Sequence, residues 1–212
     1  MILLRLPPSL GSLACRRLRA SRWVSSVRCM HSDARIDLIS TGPEASDRLA
    51  EFIASASAPG DAFLLYGEVG AGKSHFSRAF IRAALKEPCL DVPSPTYLLQ
   101  NTYEDATGRL YHHYDLYRLT DPSSLARLDL PSALAAGTCL IEWPERLGAC
   151  APAHPVTLRI ACVAGAAEER RLFSLSFPDR DAARWVQVVR ALRALGHRVG
   201  LDVQDQSGDA QA

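Results

Sequence analysis

Compact apolar runs alternate with helix-like spacings along the chain. Two runs, 62–66 and 138–142, have the length and composition of strands that are buried on both faces of a sheet. Apolar positions recur at helical spacing over 43–55, 73–85 and 181–195, which predicts three amphipathic helices. Buried strands that alternate with helices favour an α/β fold with a mainly parallel sheet flanked by helices.

Shorter elements complete this pattern. A strand is expected at 34–41, and a short helix is expected to open after Asp121-Pro122. Two strand-like segments, 155–163 and 170–177, flank a polar turn. They predict an antiparallel hairpin in the C-terminal part of the chain.

Residues 1–32 differ in composition from the rest of the chain. They contain six arginines and six serines but no acidic residue, and their apolar stretch is interrupted at Arg5. This composition is typical of an organellar transit peptide, for a mitochondrion or a plastid, and a solvated basic tail is the alternative. Beyond Gly200 the polar sequence is typical of disorder. We therefore expect a transit peptide over 1–32, a globular domain over 33–199 and a disordered tail over 200–212.

Charge and cysteine usage narrow the function classes. Without residues 1–32 the chain has 18 basic and 23 acidic residues, which argues against independent nucleic-acid binding. No apolar run approaches the ~18 residues that indicate a membrane span. The six cysteines lack the C-x-x-C spacing of zinc sites, and Cys139 and Cys162 are expected in the core.

The segment GEVGAGKS, residues 67–74, lies between a predicted strand and a predicted helix. It matches G-x-x-x-x-G-K-[ST] at every fixed position. Its glycines allow a tight turn whose backbone N–H groups face a phosphate, and the helix adds the positive end of its dipole. Lys73 is placed to contact the β- and γ-phosphates, and the Ser74 hydroxyl to bind Mg²⁺. The sequence therefore predicts a nucleoside triphosphate site.

The same sequence favours ATP over GTP. Guanine recognition in GTPases normally uses N-K-x-D, but the only asparagine, Asn101, is followed by Thr102. The guanine signature is therefore absent from the sequence, and ATP is the better candidate.

An acidic residue, Glu142, ends the second compact apolar run and precedes Trp143 and Pro144. Strand ends and the first strand–helix loop share one rim of an α/β sheet, so Glu142 is expected to meet Mg²⁺ as a Walker B acid. The alternative is a surface carboxylate at a strand end. Trp143 is expected to pack against the base or ribose, or to serve ordinary packing.

A second acid, Asp115, lies in the aromatic segment YHHYDLYR. If this segment is extended, Tyr111, His113 and Asp115 project to one face of the sheet. Asp115 is then placed to hold a Mg²⁺-bound water or to orient an attacking one, or to form a salt bridge with Arg118. His112 and His113 are interpreted as structural imidazoles.

Four motifs together resemble the TsaE family of small P-loop ATPases. They are GEVGAGKSHFSRAF, SPTY, YHHYDLYRLTDP and CLIEWPER, in family order over roughly 36–177. The resemblance implies a P-loop NTPase-like fold and ATP hydrolysis with Mg²⁺. It also implies an accessory role on a TsaD–TsaB pair that makes threonylcarbamoyl-adenosine in tRNA. The tRNA would then be bound through the partner, and no membrane would be involved.

The resemblance also assigns the site residue by residue. The catalytic residues would be Lys73, Asp115 and Glu142. The metal would be bound by Ser74, Glu142 and Asp115. Ser94 and Thr96 lie in a loop that resembles a nucleotide-sensing switch. The ATP-binding residues would be Ser46, Gly67, Glu68, Val69, Gly70, Ala71, Gly72, Lys73, Ser74 and Trp143.

Two other functions stay open at this point. A small kinase would use the same cradle with an acceptor pocket and an Arg-bearing lid, and Arg109, Arg118 and Arg127 form no clear lid pattern. A scaffold would bind ATP without hydrolysis. If the chain is an ATPase, slow turnover alone is expected, because no separate arginine finger can be assigned in the sequence.

Overall fold

An eight-stranded sheet organises the part of the chain that this computed structural model describes, residues 35–119, 125, 128–163, 165 and 169–204. The strands are β1 (Arg35–Ser40), β2 (Ala62–Tyr66), β3 (Gln100–Glu104), β4 (Leu110–Asp115), β5 (Gly137–Glu142), β6 (Val156–Cys162), β7 (Arg171–Ser176) and β8 (Leu201–Gln204). The helices are α1 (Pro43–Ala56), α2 (Lys73–Leu85), α3 (Leu130–Ala136) and α4 (Ala182–Leu195). The predicted transit peptide, 1–32, and the predicted start of a helix after Asp121-Pro122 lie outside the described residues.

The strand order is β3-β4-β5-β2-β6-β7-β1-β8. The four strands from β4 to β6 in this order pair in parallel, whereas every pairing outside them is antiparallel. The predicted P-loop NTPase-like α/β fold and the β6–β7 hairpin are confirmed. The parallel region is limited to the centre, so the sheet is mixed.

The prediction of a disordered tail from Gly200 is wrong for residues Leu201–Gln204. These residues form β8, which pairs antiparallel with β1, and Leu201 is fully buried. Thr41 N donates to Gly200 O at 3.0 Å, so the chain turns back onto an edge of β1 that would otherwise lack a partner. Residues 205–212 lie outside the described part.

Two apolar clusters cover the sheet. The larger joins α1, α2 and α4 to one face, where Phe63 contacts Phe80 at 5.1 Å and Trp185 at 6.3 Å between ring centroids. The smaller includes Leu130 of α3 and Ile141 of β5 on the opposite face. Each buried side chain of this size contributes about 1.5–3 kcal/mol, so the larger cluster holds β2 and α2 in fixed relative positions.

The two cysteines that were expected in the core differ in their exposure. Cys139 is buried as predicted. The prediction for Cys162 is wrong: it is the last residue of β6, and both it and Ala161 are exposed, because the larger apolar cluster covers this strand only as far as Ile160. No helix in the described part of the chain is long and apolar enough to cross a bilayer.

Candidate functional site

The connection between β2 and α2 is a tight loop that depends on glycine. Gly67, Gly70 and Gly72 have φ angles of 148°, 79° and 112°, which favour residues without a β-carbon. A β-carbon at Gly67 would overlap the carbonyl oxygen of Ile160 on β6, so the loop leaves the sheet in close backbone contact. At Gly72, directly before α2, a β-carbon would face open space. The first turn of α2 therefore faces an open concavity, which is the geometry of an anion site at a helix N-terminus.

Lys73 lies folded inside this loop. Its Nζ donates to the carbonyl oxygens of Gly67 at 2.6 Å and Glu68 at 2.9 Å, and lies 3.8 Å from the centroid of the Trp143 ring. Trp143 in turn packs against Tyr117, with ring centroids 4.9 Å apart. Burial lowers the pKa of Lys73 below its ordinary value, although the acidic residues around the loop partly offset this effect. Among the described residues, the hydrogen-bond partners of the ammonium are backbone carbonyl oxygens and not carboxylates, so an anionic ligand would give it a charged partner.

Raising the pH should stabilise the folded protein through Lys73. Its lowered pKa means that the folded state carries a penalty for the charged form at neutral pH. Between the lowered pKa and 10.5, the folded protein loses this proton before the unfolded chain does, so the penalty disappears. We expect the free energy of unfolding of the wild type to rise across this window relative to that of Lys73→Met, measured by urea denaturation. A difference that is constant over the whole window would contradict this.

Glu142 is almost fully buried, with 1% of its surface exposed. Its Oε2 accepts from Ser74 Oγ at 2.8 Å. Its Oε1 accepts from Ser77 Oγ at 3.1 Å and from His113 Nε2 at 2.7 Å. The structure therefore brings Glu142 and Ser74 together, as the sequence predicted, and it excludes the alternative of a surface carboxylate. Sequence reasoning missed Ser77 and His113.

Asp115 lies beside Glu142, because β4 and β5 are parallel and the two acids are directly paired in register. Its Oδ2 accepts from Ser94 Oγ at 3.1 Å and Thr96 Oγ1 at 2.6 Å, and its Oδ1 accepts from the Tyr117 backbone N–H at 3.0 Å. Arg118 lies instead over the Tyr97 ring, at 4.6 Å, so the salt bridge considered for Asp115 is not formed. The loop that carries Ser94 and Thr96 is thus tied to an acid of the site.

Two cavities flank the glycine-rich loop. One, of about 360 Å³, is lined by residues from each predicted group. They include the catalytic and metal candidates Lys73, Ser74, Asp115 and Glu142, together with Val69, Thr96 and Trp143. The other, of about 340 Å³, is lined by Ser46, Ala71 and Phe173 among others. Gly70 and Gly72 border both. Ser46 and Trp143 therefore line different cavities beside the loop.

The residues around the first cavity fit a magnesium–phosphate group. A serine hydroxyl and two carboxylates are hard oxygen donors, which Mg²⁺ prefers, and Mg²⁺ is usually bound through one or two carboxylates together with substrate phosphates. Lys73 and the open first turn of α2 supply the positive groups that phosphates need. No cluster of three or more His, Cys, Asp or Glu within the described ranges could hold a metal.

The fold and the cradle at 67–74 define a P-loop NTPase-like protein. Comparison with known families identifies it further: the family model described as threonylcarbamoyl adenosine biosynthesis protein TsaE matches residues 40–172. This match covers more than half of the chain. The chain therefore belongs to the TsaE family.

Curated relatives agree with this assignment. A tRNA threonylcarbamoyladenosine biosynthesis protein TsaE from Rickettsia felis is 39% identical over 51% of this chain and 62% of its own length. The protein of the same name from Aquifex aeolicus is 34% identical over 52% of this chain and 77% of its own. The chain thus spans about three fifths of the Rickettsia relative.

A solved structure supports the fold. The crystal structure of Bacillus subtilis YdiB superposes with a TM-score of 0.59, covers 74% of this chain and 95% of that chain, and is 22% identical. At this identity the likeness establishes the fold alone.

Proposed function

We propose that this protein binds ATP with Mg²⁺ and hydrolyses the ATP to ADP and phosphate. The observation that carries the proposal is the convergence of Lys73, Ser74, Asp115 and Glu142 on one cavity of about 360 Å³ beside the glycine-rich loop. The fixed positions of the loop match those of nucleotide-binding P-loops. Hydrolysis rather than binding alone is supported by two buried carboxylates that lie side by side at this cavity.

Each residue has a role that follows from its position. Lys73 would exchange its contacts with two loop carbonyls for the β- and γ-phosphates. Ser74 and Glu142 would hold Mg²⁺, which would offset negative charge on the β- and γ-phosphates. Asp115 would orient the attacking water or hold a Mg²⁺-bound one, since it lines the cavity and its Oδ1, which accepts from the Tyr117 N–H, keeps a second lone pair.

Either of the two cavities beside the loop is available to the base and ribose of ATP. Trp143 offers an aromatic face in the first cavity, and Ser46 lines the second, together with Phe173. Because Trp143 already shields Lys73 and contacts Tyr117, we assign it to covering the phosphates rather than the base. The base and ribose would then lie in the cavity that Ser46 lines.

We further propose that the protein acts in threonylcarbamoyl-adenosine modification of tRNA, as an accessory subunit of a TsaD–TsaB-type complex. The names of the curated relatives support the pathway. Three large apolar side chains near the cavity are strongly exposed: Val69 at 72%, Tyr97 at 82% and Leu98 at 76%. Exposed apolar residues of this kind often mark interaction sites, which supports a partner that contacts the nucleotide site. The tRNA would be held by that partner, since acidic residues outnumber basic ones beyond residue 32.

We also propose that residues 1–32 direct the protein to a mitochondrion or plastid. The support is their content of six arginines without an acidic residue. Recovery of the protein together with a TsaD–TsaB-type pair from isolated organelles would identify both the compartment and the partner. Recovery from the cytosol with residues 1–32 intact would contradict the targeting.

Phosphate release from γ-labelled ATP tests the activity. We expect slow release by the protein alone and faster release when a TsaD–TsaB pair is added, because the partner would complete the site. Transfer of the label to an acceptor hydroxyl would instead indicate a kinase. ATP binding without release in either condition would indicate a scaffold, and rapid hydrolysis by the lone protein would contradict dependence on the partner.

A further inference from the structure

The carboxylate of Glu142 is held differently at its two oxygens. Oε1 accepts from two donors on the inner side, His113 Nε2 at 2.7 Å and Ser77 Oγ at 3.1 Å. Oε2 accepts from Ser74 Oγ at 2.8 Å, and Ser74 lines the cavity beside Lys73. One oxygen is therefore anchored in the protein and the other faces the site.

The two inner donors are fixed by the fold. His113 and Ser77 both have no exposed surface. His113 lies two residues before Asp115 on β4, so strand alternation places both side chains on the face where Glu142 lies. Ser77 lies one turn after Lys73 on α2, and its single hydroxyl proton is shared between Oε1 of Glu142 and the carbonyl oxygen of Lys73, each 3.1 Å away. Neither residue lines the cavity of about 360 Å³.

The unpaired nitrogen of His113 indicates which tautomer is present. His113 Nδ1 is buried and has no hydrogen-bond partner among the residues that the structure describes. A proton at Nδ1 would leave a buried donor unsatisfied, which costs about 1–3 kcal/mol. The proton therefore lies on Nε2, where it is donated to Glu142. A neutral imidazole of this kind fixes the carboxylate without cancelling the negative charge that a cation needs.

We propose that His113 is a positioning residue, which together with Ser77 fixes Oε1 of Glu142 and so aims Oε2 at the metal position beside Ser74. This inference rests on the proposed binding of Mg²⁺ with nucleotide, and adds a residue to which the family resemblance gave no role. His113 acts through Glu142 and does not touch the nucleotide. Replacing His113 should thus lower the affinity for the metal and leave the affinity for nucleotide in the absence of metal unchanged.

Metal and nucleotide affinity, measured separately, test this role. The variants are His113→Leu, which removes the donor, and His113→Gln, whose amide nitrogen can take the place of Nε2. Binding of Mn²⁺, used in place of Mg²⁺, to the ADP complex is followed by electron paramagnetic resonance, and ADP affinity is measured in EDTA. We expect His113→Leu to lower the Mn²⁺ affinity by about 10- to 100-fold, the usual effect of losing a hydrogen bond to a metal ligand. ADP affinity in EDTA should stay unchanged, and His113→Gln should restore most of the Mn²⁺ affinity.

His112→Leu is the matched control. His112 is also buried, but its Nδ1 lies 3.1 Å from Thr102 Oγ1, and it makes no contact with Glu142. This variant should bind Mn²⁺ like the wild type. Equal Mn²⁺ affinity in His113→Leu and the wild type, or an equal loss in His112→Leu, would overturn the proposal.

A measurement on the unaltered protein covers the case in which His113→Leu does not fold. Long-range ¹H–¹⁵N correlation spectra distinguish the two imidazole tautomers, and we expect a proton on Nε2 of His113 in the nucleotide-free protein. A proton on Nδ1 would overturn the proposal. Failure of the wild type to bind ADP even in EDTA would instead overturn the proposed function, and the positioning role with it.

Discussion

Lys73→Met should weaken ATP binding by about 30-fold to several-thousand-fold, because truncating one partner of a buried charged pair costs about 2–5 kcal/mol and each 1.4 kcal/mol is a factor of ten. In the structure Lys73 is 5% exposed, and its ammonium donates to two carbonyl oxygens inside the loop. A triphosphate would give this buried charge an anionic partner. Methionine keeps the length of the side chain but removes that interaction. Isothermal calorimetry with ATP and Mg²⁺ measures the loss.

The chain offers a close control for this variant. Lys86 is the only other lysine, and it lies exposed at the C-terminal end of the same helix, α2. Lys86→Met makes the same chemical change about three turns from the loop and should leave ATP affinity unchanged. If Lys73→Met bound ATP like the wild type while remaining folded, the loop would not be the phosphate site.

The elements closest to the loop follow from local sequence. β2 was predicted to the residue, since a short apolar run bounded by glycines has few other solutions in an α/β protein. α2 was predicted to the residue as well, because its apolar positions recur at helical spacing directly after the glycine-rich turn. The phosphate cradle lies between them, so its shape is a local property of one continuous segment.

Elements that depend on distant pairing were not predictable in the same way. β3 is a polar edge strand, and only its pairing with β4 makes it a strand. β8 is four residues long and is defined by its pairing with β1, more than 150 residues earlier in the chain. Neither segment carries enough apolar residues to indicate a strand by itself.

The proximity of Asp115 to Glu142 depends on the order of the strands in the sheet, which the sequence does not give. Alternation along β4 correctly placed His113 and Asp115 on one face, but a sequence pattern does not say which strand lies next to β4. The parallel pairing with β5 brings this face to Glu142. Ser77 had a usable signal, because it lies three residues after Ser74 and so shares its side of α2. His113 was interpreted as structural, and its contact with Glu142 required the sheet order.

Glu142→Gln should separate binding from hydrolysis. We expect phosphate release, measured with the partner complex present, to fall by about 10²–10³-fold, the usual effect of removing one preorganised electrostatic group from a reacting centre. ATP affinity in EDTA should change little, because the Glu142 carboxylate contacts Ser74, Ser77 and His113 and not the loop carbonyls that hold Lys73. The gain in affinity on adding Mg²⁺ should be lost, since the amide keeps the shape of the side chain but not its charge.

Glu145→Gln provides the control, because Glu145 is an exposed acid three residues further along that also acts on Lys73 through its charge. This variant should retain phosphate release and the Mg²⁺ effect. If general negative charge near Lys73 were what the site needs, both variants would lose activity to a similar degree. If the site instead needs a carboxylate at one fixed position, only Glu142→Gln should lose activity. Glu142, unlike Glu145, is held by His113 and Ser77 and is paired in register with Asp115. Full phosphate release by Glu142→Gln would remove it from the reacting centre.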